Sequence, residues 1–375
     1  MQLFCVKPTV HYFETFPEFL DAFSVGEGDL IFTEQLLYEQ YIRPCEARCL
    51  TLLKDQYGMG EPREEVIDAI LEALRGQTVH RIIAVGGGSV IDIAKLLCVK
   101  NASPVRDMME GRTPPVLDKE LIAVPATCGT GSEVTFGGIV TMRDTGFKTG
   151  ILAPELSAAH AVLIPQLLST LPAKVFLHCS VDALGHAMES YVSATRGNEM
   201  ARAVGARAIR LLTRGYAVLA QEGEQARPRL MKDFLTASCL AGMAVNNGGA
   251  GPVHALAYPV GETYHMSHGE TIYQFLTAVF SLYERRQDGP LLEELRELIQ
   301  PALRQADIFT GDTFGGLQQL LERIYPSRRL GECGMTEADV EPFTANVFAA
   351  KQRLLQASYV PFSQQDAMDI YRQRL

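Results

Sequence analysis

The sequence predicts an α/β domain over residues 1–168 and an all-helical domain over residues 169–375. Three observations carry that prediction. Strand-like and helix-like segments alternate through the first 165 residues, strand signals nearly vanish after Pro172, and three glycines in a row stand where a strand gives way to a helix. Strand, helix and strand in succession imply a parallel sheet with helices on its faces.

Taken in order, "DLIFT" (29–33), "CLTLL" (49–53), "RIIAVGGG" (81–88) and "LIAVPAT" (121–127) are short apolar runs that end in small or polar residues, as buried strands do. Between the second and third lies "EEVIDAILEALR" (64–75), whose Val66, Ile67, Ile70, Leu71 and Leu74 share one helical face. Beyond the boundary, which the change of texture puts near 165–172, the segments 173–194, 199–221 and 229–245 read as long helices. "TEAD" (336–339) and "SQQD" (363–366) have the form of helix-start boxes, in which a hydroxyl caps one orphan N–H and an acid follows three residues later.

Composition narrows the function classes. The 375 residues are 47% hydrophobic and 21% charged, ordinary for a globular protein with substantial cores. A net charge of −10 argues against a nucleic-acid footprint and gives no pull toward anionic membranes. The apolar stretch 236–260 holds Asn246, Asn247, four glycines and two prolines, a poor membrane span. The N-terminus has no basic segment followed by an apolar run, so a cytoplasmic location is expected. The eight cysteines have no paired spacing and read as free thiols, although Cys45 and Cys49 could face each other on one helix.

"AVGGGSVIDIAK" (84–95) follows a predicted strand and opens a predicted helix. Glycines let a ligand approach the backbone, and the first N–H groups of a helix attract an anion such as a pyrophosphate. The same residues also suit a tight turn in which Ser89 caps the helix and Asp92 completes the box. This is not the GxGxxG fingerprint. A second loop, "VPATCGTGSEV" (124–134), adds the hydroxyls of Thr127, Thr130 and Ser132, and two such loops on strand ends describe a nucleotide cleft better than one. Glu34 ends the "DLIFT" run; it is either a surface acid or an acceptor for ribose hydroxyls, which would favour NAD over NADP.

Asp182 and His186 in "HCSVDALGHAMES" (178–190) are four apart and share a helical face, where they form either an ordinary surface pair or half of a metal site. His178 lies one turn earlier on that face. "VHALAYPVGETYHMSHGE" (253–270) adds His254, His265 and His268. Asp182, His186, His254 and His268 together would suit Fe²⁺ or Zn²⁺.

"GGGSVIDIAK", "PATCGTGSEVT", "DALGHAMESY" and "VHALAYPVGETYHMSHGE", in that order and spacing, resemble the iron-containing alcohol dehydrogenase family, and the likeness reaches the "PFSQQDAMDIYR" ending. Within it they most resemble the NAD-dependent branch acting on 4-hydroxybutyrate and succinic semialdehyde. The resemblance implies the architecture shared with dehydroquinate synthase, a nucleotide-binding α/β domain followed by a helical metal-binding domain. It implies that Asp182, His186, His254 and His268 hold the metal, that Gly87, Gly88, Ser89, Thr127 and Thr130 meet the cofactor with Lys148 as the basic residue beside it, and that Glu34 selects NAD. Many members carry another His four residues after the first of the late pair; Tyr258 stands there, which points away from simple alcohols. His265 matches no family ligand. It is either an inert cleft-lining residue or a catalytic one, meeting a substrate carboxylate or passing a proton.

The implied reaction moves a hydride between an alcohol carbon and nicotinamide, with the metal as Lewis acid. The implied partners are a small hydroxyacid or aldehyde and further copies of the chain in a homo-oligomer. The alternatives are a general alcohol or diol dehydrogenase of the same family, a dehydroquinate synthase-like lyase and a non-enzymatic sensor. A lyase of that type needs a dense basic cluster, of which Lys174 alone stands out near the motifs. A sensor would not need four intact ligands.

Overall fold

A computed structural model describes residues 3–375 except 101, 147, 288, 309 and 310. They fall into two compact units, one of residues 6–170 and one of residues 171–375 joined by the chain start up to Cys5.

The first unit is built on a six-stranded parallel sheet. Its strands are β1 (Thr9–Tyr12), β2 (Asp29–Thr33), β3 (Leu50–Leu53), β4 (Arg81–Gly86), β5 (Glu120–Pro125) and β8 (His160–Leu163), arranged β1-β8-β5-β4-β2-β3. Strands β6 (Gly137–Thr141) and β7 (Lys148–Leu152) form a separate antiparallel pair. The helices are α1 (Phe16–Ala22), α2 (Gln35–Leu37), α3 (Glu64–Ala73), α4 (Gly88–Leu97) and α5 (Val105–Met109).

Alternate residues of the central strands feed two cores. Leu30, Phe32, Ile82, Ala84, Leu121 and Ala123 pack on one face with α3 and α4, while Ile31, Ile83, Val85, Ile122 and Val124 pack on the other with Phe16 and Phe19 of α1. A sheet covered on both faces needs continuous apolar strands, which is why these runs show no polar alternation. The four predicted strands are all present, shifted by at most two residues. β1 and β8 escape the sequence reading because each is short and carries a histidine, and β6 and β7 because glycine interrupts their pattern.

The second unit holds α6 (Ala173–Val192), α7 (Glu199–Glu222), α8 (Arg227–Gly248), α9 (Pro252–Tyr264), α10 (His268–Arg286), α11 (Pro290–Gln305), α12 (Thr313–Ile324), α13 (Glu337–Ala350), α14 (Gln352–Gln356) and α15 (Gln364–Arg374). Thr336 with Asp339 and Ser363 with Asp366 form the two predicted capping boxes at the starts of α13 and α15. No helix among the described residues is long and apolar enough to cross a membrane. The cysteines form no disulfide among the described residues, and Cys45 and Cys49 share no helix: Cys45 closes a 3-10 turn and Cys49 precedes β3.

Candidate functional site

Helix α6 carries Asp182, His186 and Glu189 at positions i, i+4 and i+7, on one face. Two glycines let the neighbouring helices approach that face. A Cβ on Gly185 would lie 3.0 Å from Ile272, and one on Gly269 would lie 2.2 Å from the backbone oxygen of His178, so α10 crosses α6 where only hydrogen fits. His254 arrives from the first turn of α9 and His268 from the first residue of α10.

The Oδ1 atom of Asp182 then stands 3.5 Å from Nε2 of His254, 3.5 Å from Nε2 of His268 and 3.8 Å from Nε2 of His186. These separations are too long for good hydrogen bonds. They match donors sharing one ion, since bonds of about 2.1 Å at tetrahedral angles put donors roughly 3.4 Å apart. Ligand atoms of Asp182, His254 and His268 all lie within 4.8 Å of one another. His186 joins through its distance to the carboxylate, with its ring stacked on that of His254 at 4.6 Å. Asp182 Oδ1 and His254 Nε2 are buried and make no hydrogen bond among the described residues. A buried carboxylate oxygen and ring nitrogen left without partners, and facing each other, are what a cation site requires. The residues fit a divalent metal.

Charge at the centre agrees. Burial resists ionisation of Asp182, but the three imidazoles outweigh it and hold the carboxyl below the usual range. Burial likewise opposes the imidazolium of His254, yet Glu189 and Asp182 raise its pKa to about 10. Glu189 accepts from Nδ1 of His254 at 2.5 Å and from the N–H of Val253 at 2.6 Å. It thereby fixes the ring with Nε2 toward Asp182. Sequence reading missed Glu189, although its i+7 spacing from Asp182 was available.

Tyr258 follows His254 by one turn and brings its ring to 6.0 Å from that of His268. Lys351 places Nζ 4.1 Å from the centre of the Tyr258 ring, a contact between distant segments that no motif announces. His265 is exposed and ends α9 in the left-handed region at φ +52°. It is not among the donors gathered at Asp182, and its exposure argues against a cleft-lining place. His178 is buried against Tyr273 and Tyr325, also outside the donor group.

In the sheet unit, β4 and β5 lie side by side and their loops meet. A Cβ on Gly87 would lie 3.2 Å from Thr127, and one on Gly88 would lie 2.7 Å from Thr130. One expectation is corrected here. Ser89 does not cap the helix: α4 begins at Gly88, its N-cap is Gly87, and no side chain bonds the first turn. Asp92 instead accepts from the buried Lys95, which also donates to Thr135 and to the carbonyl of Gly137. Glycine at the cap brings no side chain of its own to the first-turn N–H groups, and helix starts of this kind favour an anion.

Glu34 follows Thr33, whose strand partner is Val85, so it stands at the end of β2 beside the end of β4. The chain reverses direction across the sheet between these two strands, the place where such folds bind nucleotides. Lys54 Nζ lies 3.4 Å from Glu34. Lys148 opens β7 and pairs with Glu61 at 2.7 Å.

Residues 16–165 match the model of the iron-containing alcohol dehydrogenases, and residues 176–375 match that of the C-terminal part of the Fe-containing alcohol dehydrogenase family. The chain belongs to the iron-containing alcohol dehydrogenase family. Among its curated relatives is a 4-hydroxybutyrate dehydrogenase of Clostridium kluyveri, 39% identical over 372 residues, or 99% of each chain. Another is long-chain-alcohol dehydrogenase 1 of Geobacillus thermodenitrificans, 32% identical over 83% of this chain and 79% of the other. A crystal structure of a 1,3-propanediol oxidoreductase shares the fold with a TM-score of 0.83 at 22% identity, covering all of both chains. A sulfoacetaldehyde reductase from Bifidobacterium kashiwanohense, solved with NAD⁺, does so with a TM-score of 0.82 at 19% identity over 100% of this chain and 99% of the other. Membership in the iron-containing alcohol dehydrogenases agrees with the two-part build, a parallel sheet and then a helical bundle.

Proposed function

We propose that this iron-containing alcohol dehydrogenase transfers a hydride between NAD(H) and a primary alcohol or aldehyde, and that its substrate pair is 4-hydroxybutyrate and succinic semialdehyde. The observation that carries the reading is the convergence of one carboxylate oxygen and three imidazole nitrogens at separations set for a shared ion. The near full-length likeness to a 4-hydroxybutyrate dehydrogenase supports the substrate.

Asp182, His186, His254 and His268 hold the metal, Fe²⁺ in the first instance and Zn²⁺ as the alternative. Gly87, Gly88, Ser89, Thr127 and Thr130 receive the dinucleotide phosphates, with Lys148 as the cation on the cofactor side. Glu34 accepts from the ribose hydroxyls. A cation held there would supply Lewis acidity, and a bound nicotinamide would supply the hydride chemistry. Glu189 accepts from Nδ1 of His254 and so turns Nε2 toward Asp182, the orientation a metal ligand would need. Tyr258 lies beside His268 and lines the place of the reacting carbon. Lys351, held over that ring, meets the far carboxylate of a hydroxyacid, which would be costly to bury alone. The chain works as a homo-oligomer, which sedimentation tests.

The deciding experiment supplies NADH and metal anaerobically and compares succinic semialdehyde, butanal and glycerol-type substrates by loss of the NADH absorbance. Preference for succinic semialdehyde supports the reading; preference for butanal moves the chain to the general alcohol dehydrogenases. Lys351→Met should raise KM for 4-hydroxybutyrate by about tenfold, one charge interaction's worth, and leave KM for butanol unchanged. His265→Ala, at an exposed helix end, should move neither. An equal rise for both alcohols in Lys351→Met would refute the carboxylate role.

A further inference from the structure

The helical unit contains a cavity of about 370 Å³ to which no metal donor contributes. It is lined by residues from α6 (Lys174, His178), from α10 (Glu270, Tyr273, Gln274) and from the loop after α12 (325–328). His178 lines the cavity with 4% of its surface exposed. Its ring rests edge-on against Tyr273 and Tyr325, which line the cavity with it. A buried imidazole in a cavity wall is a hydrogen-bonding group within reach of an occupant.

The charges around it are built, not incidental. Glu270 is buried and accepts from Lys174 Nζ at 3.2 Å and from Arg328 at 2.6 Å and 3.1 Å. Both contacts from Arg328 go through Nε and Nη2, leaving Nη1 to donate, and the Lys174 ammonium keeps donors as well. Burial pushes His178 down to about 4 against the pull of Glu270, so it adds a donor without a charge. Two cations and one carboxylate leave a single positive charge to be matched. The cavity exceeds the size of a lone inorganic ion, and Tyr273, Tyr325 and Pro326 give it a partly apolar wall.

We propose that this cavity binds a small organic monocarboxylate, its carboxylate held by Lys174, Arg328 and His178 and its carbon chain laid against Tyr273, Tyr325 and Pro326. The site stands independently of the substrate assigned above. It does, however, take the same ligand class, so the experiment must separate the two locations.

Butyrate, which has no hydroxyl to oxidise, is the probe. Calorimetric titration compares the metal-loaded full chain with His268→Ala, Arg328→Gln, Lys174→Met and His178→Phe, each checked for folding by circular dichroism. Arg328 is half-exposed at the rim, so its variant should fold even where His178→Phe does not. The proposal expects butyrate affinity in His268→Ala within about twofold of the parent, and in Arg328→Gln and Lys174→Met weaker by about tenfold, as loss of one charge-assisted bond implies. Three results would overturn it: no saturable butyrate binding, binding lost in His268→Ala but kept in Arg328→Gln, or inorganic phosphate competing as well as butyrate.

Discussion

At His254 one ring nitrogen faces Asp182 and the other faces Glu189, so the residue that orients the site sits outside the donor set. Removing Glu189's charge while keeping its shape therefore tests the site without deleting a ligand. Glu189→Gln should weaken metal affinity by about 10–100-fold, the usual cost of losing such a partner, with the helical fold intact. Metal content after dialysis against a graded chelator measures it, and unchanged retention would remove Glu189 from the site. His268→Ala deletes a donor outright and should bring metal content to background. The proposed donors rest on the i, i+4 spacing of Asp182 and His186 and the match to a family pattern, and the structure brings their side chains together. Lys351 over Tyr258 was not, because sequence carries no sign of which lysine a fold brings across some ninety positions to an aromatic ring.

Among the elements, glycines at helix crossings decide whether the donors can meet. A methyl at position 269 would sit 2.2 Å from a backbone oxygen of α6, which cannot rotate away. Gly269→Ala should cost on the order of 1–3 kcal/mol from overpacking and loosen the metal along with the fold, read by thermal unfolding and metal content together. Helix α3 offers a test in pH. Glu64, the first residue of that helix, is gripped by Arg106, whose hydrogen bonds hold its carboxyl at about 2 instead of 4.5. A carboxylate depressed in the folded state stabilises fully above the unfolded value and loses that contribution as pH falls toward the folded one. The thermal midpoints of the parent and Arg106→Gln should thus differ by a constant amount above pH 5 and converge between about 4.5 and 2. A gap that persists at the acid end would mean that Arg106 acts by packing alone. Element boundaries were readable where patterns were strong, as in α3 and the capped starts of α13 and α15. The helix after the glycine run does not take the Ser89 cap that was one of its two readings: Ser89 has the chemistry of a cap, but glycine permits the turn two residues earlier.

On the scale of the whole molecule, the two proposed ligand sites fall in different compact units. Every proposed metal donor lies in residues 171–375, while both loops proposed to receive the phosphates lie in residues 6–170. The division was visible in the change from alternating strands to uninterrupted helices, because each unit must bury its own apolar pattern. What the pattern could not carry was the meeting of α6, α9 and α10 at one carboxylate, which arises only from packing. Ligands that bind the folded state stabilise what they bind, by about 2.7 kcal/mol at a concentration of one hundred Kd. Amide hydrogen exchange should therefore resolve the two occupants by location. Fe²⁺ or Zn²⁺ alone should slow exchange in α6 around residues 182–189 and in the first turns of α9 and α10. NAD⁺ alone should slow it at residues 86–90 and 127–132. Metal protection that appears first in the glycine loop, or that survives His268→Ala undiminished, would place the ion somewhere other than on Asp182 and its three histidines.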